Sequence, residues 1–84
     1  MQTTFELSDD PNNRGRIAHV VYLVEGEDAP RRVTTAPDEN VSDAVCRELV
    51  RIRQVAVMRL EKVIVGKKFA YHFADGKTFV VEIL

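Results

Sequence analysis

The stretch VSDAVCRELVRIRQVAVMRLEKVI, residues 41–64, decides what kind of fold this chain can build. Wound on a helix at about 100° per residue, Val45, Leu49, Ile52, Ala56, Leu60 and Val63 form one apolar stripe. Cys46, Val50, Val57 and Ile64 form a second, roughly a quarter-turn away, with Arg53 between the two. A competing pattern runs through the same letters, because Val50–Arg51–Ile52–Arg53 and Val55–Ala56–Val57 alternate as a strand would. The sustained 3–4 spacing, with no Gly or Pro from 41 to 64, favours one long helix ending at Val63–Gly66. Such a helix buries one stripe in its own core and offers part of the other to a partner.

The flanks fit a helix entry. Asn40 or Ser42 is the expected N-cap, Asp43 suits the positive end of the helix dipole, and Asp43 with Arg47 makes an i,i+4 pair. Upstream, Thr3–Leu7 reads as a short strand and residues 8–15 (Ser-Asp-Asp-Pro-Asn-Asn-Arg-Gly) as a turn. Ile17–Glu25 is rich in β-branched residues with both faces apolar, the pattern of a central strand. Arg31–Ala36, opened by two arginines after Pro30, suits an edge strand.

Downstream, Lys67–Leu84 reads as a hairpin turning at Asp75-Gly76. A two-residue turn would pair Phe73 with Thr78 and His72 with Phe79. Phe69, Tyr71 and Phe73 would then share a face with Val80, leaving Phe79, Val81 and Ile83 on the other. The expected architecture is a single α+β domain over residues 1–84. Its antiparallel sheet of four or five strands carries one long helix on one face, in the order β-β-β-α-β-β.

Composition narrows the function. The 84 residues are 45% hydrophobic and 30% charged, ordinary values for one globular domain. No run approaches the roughly 20 apolar residues of a membrane span. The first residues lack the basic and apolar regions of a signal peptide, so a cytoplasmic chain with no membrane role is expected. The lone cysteine, Cys46, excludes an internal disulfide. The net charge of −1 divides into −4 over residues 1–40 (eight acids, four arginines) and +3 over residues 41–84 (eight bases, five acids). That division carries no positive excess of the kind non-specific nucleic-acid binding uses.

Motifs for chemistry are sparse. Cys46 lies among apolar positions, where cysteine behaves as a small hydrophobe. His19 and His72 lie far apart without ligand spacing, and the four glycines stand singly at turns. Neither catalysis nor a metal or cofactor is expected. Lys67-Lys68-Phe69-Ala70-Tyr71-His72-Phe73 sets aromatics at alternate positions behind two lysines, as a base-stacking platform requires. It partly resembles the aromatic motif of RNA-recognition domains. It departs from that motif at Lys68 (glycine expected), His72 (aliphatic) and Ala74 (aromatic), and no family identity follows.

The leading expectation is a non-enzymatic protein-binding domain of adaptor or inhibitor type, of the kind phages and mobile elements encode, acting as a homodimer. Its contacts are Val50, Arg53, Val57 and Met58 on the helix and the hairpin face that the helix leaves open. Arg53, set among apolar residues, either snorkels to water or meets a carboxylate across an interface. The alternative is a nucleic-acid-binding accessory protein using Arg47, Arg51, Lys67, Lys68 and Tyr71. A third possibility is a small-molecule sensor with a pocket between sheet and helix.

Overall fold

A computed structural model describes residues 4–7 and 16–84, with side chains from residue 17 onward. The elements are β1 (Thr4–Leu7), β2 (Arg16–Val24), β3 (Arg31–Thr34), α1 (Val41–Arg53), β4 (Val57–Ile64), β5 (Lys68–Phe73) and β6 (Thr78–Ile83). The α+β class is as expected, with one helix on an antiparallel sheet. The order differs, because a strand occupies the second half of the expected long helix. The turn expected at 8–15 lies outside the described residues.

Strand β2 organises the sheet. His19 stands opposite both Thr4 and Thr34, and Tyr22 opposite both Arg31 and Ile83. Strand β3 therefore runs along one edge of β2, while β1 and β6 share the other edge. Beyond β6 come β5 and then β4. Among the described residues β1, β3 and β4 each pair with one other strand, and all three are outer strands of the sheet. The two arginines that opened the expected edge strand do lie on an outer strand.

The helix breaks where no glycine or proline marks a stop. Gln54 takes the left-handed conformation (φ 56°, ψ 34°), and its N–H closes the last turn on Val50 O at 2.7 Å. This is a C-cap geometry in which glycine is the usual residue. Ala56 O then accepts from Ala74 N–H at 2.8 Å, which ties the chain to the β5–β6 turn as it enters β4. The expectation of helix through residue 64 is corrected. Pairing to β5, with β-branched Val57, Val63 and Ile64 in the segment, prevails over a 3.6-period pattern whose second half had no core to face, while the alternating residues 50–53 stay helical. Of the expected first stripe only Val45 and Leu49 are buried, joined by Ala44. Asn40 is the N-cap residue, although its side chain makes no capping bond. Arg47 pairs with Glu39 at 3.1 Å rather than with Asp43.

The hairpin register is one residue away from the expected one. His72 faces Thr78 and Tyr71 faces Phe79, because Phe73 N–H bonds to Lys77 O at 2.8 Å across a three-residue loop. Gly76 supplies the positive φ (87°) that such a loop needs. A one-residue slip exchanges faces. Phe69, Tyr71 and Phe73 consequently share a face with Phe79, Val81 and Ile83, and all pack into or against the core with Val20, Tyr22 and Val24. The opposite face mixes Arg32, Lys68, His72 and Glu82 with Val21, Leu23, Ala70 and Val80. Phe79, Val81 and Ile83, expected on the hairpin face that the helix leaves open, lie instead on the core side.

Polar links at both ends fasten α1 to the sheet and its hairpin turn. Tyr71 is fully buried and its hydroxyl donates to Ser42 O in the first helical turn at 2.9 Å. Burial pushes that phenol's pKa well above its ordinary value. At the other end, the Arg53 guanidinium lies over the Phe73 and Phe79 rings, 4.4 and 4.7 Å from their centroids, and bonds Asp75 at 2.6 Å. The two rings meet edge to face with centroids 5.2 Å apart.

Candidate functional site

The helix and the core residues it covers leave most of β4 outside. Among the described residues β4 pairs only with β5, and past Val57 every residue to Lys67 is exposed. Five of these are large and apolar: Met58 is 74% exposed, Leu60 39%, Val63 50%, Ile64 53% and Val65 87%. Such a run on the last strand of a sheet is an open template for another chain, unless charge or irregular geometry blunts it.

Both devices are present in limited form. Register shifts fall between Val57 and Arg59 and between Lys62 and Ile64, leaving Arg59–Lys62 as the regular run. Within it, Arg59 and Glu61 lie on the face away from the helix, opposite His72 and Ala70, while Leu60 and Lys62 lie on the helix side, opposite Tyr71 and Phe69. Arg59 bonds Glu61 at 2.9 Å and His72 Nε2 at 3.2 Å, and His72 Nδ1 meets Thr78 Oγ1 at 2.9 Å. These side chains stand on the sheet surface beside an edge that is unpaired among the described residues.

The expected protein-binding residues do not form one helix face. Val50 and Arg53 are on α1; Val57 and Met58 are on β4, across the Gln54 break. Val57 packs against the core and Val50 is half-buried. Arg53 does meet a carboxylate, but within its own chain, and its side chain is only 15% exposed. The Arg53 guanidinium holds the Asp75 carboxyl below the usual range, helped by the Lys77 N–H. Arg53 Nη1 is buried without a hydrogen-bond partner among the described residues, its environment being the two aromatic rings. Met58 alone of the four is open to a partner.

The alternative nucleic-acid set is dispersed as well. Arg47 is held by Glu39 and by Thr34 O at 3.0 Å, and Arg51 by Glu48. Lys67 is exposed in the β4–β5 turn, while Lys68 faces Glu82 across β5–β6. Tyr71 is buried, and Phe69 and Phe73 lie on the same helix-facing side, so this aromatic row stacks against protein. Cys46 is half-buried, and burial with nearby Asp43 raises its thiol pKa, the opposite of nucleophile activation.

No group of three or more metal-ligating side chains occurs among the described residues. A depression of about 190 Å³ lined by Leu23, Lys68, Val80 and Glu82 lies on the face away from the helix, not between sheet and helix. None of the described helices is long and apolar enough to cross a membrane. Residues that sequence reasoning missed are Leu60, Val63, Ile64 and Val65. For Val63, Ile64 and Val65 the signal is the β-branched run VIV just before Gly66, which also reads as a helix end. Set against known proteins, the chain matches no family model, no curated protein and no solved structure.

Proposed function

We propose that this chain is a non-enzymatic protein-interaction domain whose partner adds to the sheet at the outer edge of β4. One observation carries this: an end strand of the sheet, with five large apolar side chains between residues 58 and 65 at least 39% exposed. Main-chain pairing at such an edge supplies affinity, and the side chains on either face supply selectivity. The polar links that hold α1 to the sheet support a rigid platform, so a partner would meet a preformed strand. The basic residues tied to carboxylates and the buried Tyr71 favour a protein over a nucleic acid as the ligand.

The test is a photo-crosslinking residue placed at Met58, with Asp28 as a control site, in the full chain within cells of its source organism. A protein adduct at 58 that is absent at 28, unaffected by nuclease and lost on Leu60→Lys, is the expected result. No adduct at 58, or one removed by nuclease, overturns the proposal.

A further inference from the structure

We propose that the partner at this edge is a second copy of the chain, its β4 pairing antiparallel with the first about a two-fold axis through Leu60. The inference rests on the docking-edge reading above and adds to it the partner and the register. The juxtaposition that carries it is the order Arg59–Leu60–Glu61 on a strand whose outer edge is unpaired among the described residues.

Symmetry restricts the choices. Residues opposite one another in an antiparallel pair share a face, and a two-fold axis normal to the sheet keeps each residue on its own face. The axis must therefore pass through a residue position and not between two. Centred on Arg59, it sets Arg59 against Arg59. Centred on Glu61, it sets Glu61 against Glu61 and leaves Arg59 opposite Val63. Like charges directly opposite are unfavourable.

Centred on Leu60, Leu60 meets Leu60, and Arg59 of each copy meets Glu61 of the other, twice over. Every pair joins apolar to apolar surface or opposite charges. Arg59 and Glu61 already share the face away from the helix, where they bond each other at 2.9 Å. The second copy would extend that pair into a ring of four alternating charges. Leu60, on the helix side, would be covered by its counterpart at the axis. The register shifts on either side of 59–62 confine the pairing to this central run.

Sedimentation velocity and light scattering on the full chain, from low to high micromolar concentration, test the proposal with Arg59→Glu, Glu61→Arg and their double exchange. The parent chain is expected to dimerise, less tightly as salt rises. Arg59→Glu makes both flanks of Leu60 acidic and Glu61→Arg makes both basic, so each single variant is expected to be monomeric. An equimolar mixture of the two is expected to form a heterodimer, and the double exchange to restore the homodimer. These residues are exposed, so circular dichroism should show the parent fold in all three. A monomeric parent, single variants that dimerise as the parent does, or a mixture that stays monomeric overturns the self-pairing. A monomeric parent that still yields the Leu60-dependent Met58 adduct to a different protein overturns the self-pairing while leaving the docking edge standing.

Discussion

Helix α1 and strand β4 are neighbours in sequence, similarly rich in apolar residues, and opposite in fate. Along α1, Ala44, Val45 and Leu49 are buried against the aromatic face of the sheet, with Tyr71 and Arg53 fastening the two ends. Along β4, Leu60, Val63 and Ile64 are exposed, and the backbone is paired on one side among the described residues. What separates the two segments is placement: α1 packs on the core of the sheet, whereas β4 is an outer strand. Apolar content therefore signals stability in one segment and an available surface in the other.

The sharpest way to break the contrast is truncation at matched positions. Leu49→Ala is expected to cost about 2–5 kcal/mol in chemical denaturation, through lost burial and a cavity. Leu60→Ala should cost less than about 1 kcal/mol in the same measurement. Equal losses would mean that β4 contributes to the core as fully as α1 does.

Next in size is the C-terminal fastening of the helix. Arg53→Ala, which removes the stem and cation from the Phe73 and Phe79 rings, is expected to cost about 1–2 kcal/mol by thermal or urea unfolding. Arg53→Met, keeping packing without charge, should lose less. The two variants also test pH. Because Arg53 lowers the Asp75 pKa, that pairing contributes above the unfolded carboxylate's pKa and fades as pH falls through the folded value. Acid titration of Arg53→Met should accordingly show a shallower loss of stability on the acid side than the parent.

Smaller effects follow at the helix start and at the break. Tyr71→Phe, which deletes the bond to Ser42 O, should cost about 1 kcal/mol, read as a lower denaturant midpoint with unchanged slope. Gln54→Gly should stabilise by up to about 1 kcal/mol, since glycine takes the left-handed cap without steric penalty. A loss there would show that the Gln54 side chain has a role its backbone does not reveal. The smallest effect on folding belongs to Leu60→Lys, within about 0.5 kcal/mol by the same denaturation assay. That near-neutrality would set it apart from Leu49→Ala and leave binding as the property it changes.

The long-range frame was legible in the letters because its signals are redundant. Strand β2 combines β-branching with two apolar faces, β3 opens on charge after proline, and the β5–β6 turn is written as Asp-Gly. The second half of 41–64 was not legible, because its stop is a glutamine in a conformation glycine usually takes, and period 2 and period 3.6 overlap for seven residues. The candidate site was hidden by the same ambiguity. Met58 was selected as part of a helix surface, and Leu60 was assigned to the core. The register of the hairpin turned on whether Asp75-Gly76 closed a loop of two residues or three, and Ala74 carries no mark to decide it.

That three-residue loop has a consequence for how the chain tolerates change. Ala74 is exposed and its hydrogen bond is made by its backbone, whereas Asp75 holds Arg53 of the helix, so Ala74 is the position that tolerates a change of letter. Deleting Ala74 would leave Asp75-Gly76 as a two-residue loop between the same closing pair, Phe73 and Lys77, and so keep the register of β5 and β6. The tip will therefore accept change at Ala74 and reject substitution at Gly76, whose φ of 87° an L side chain rarely adopts.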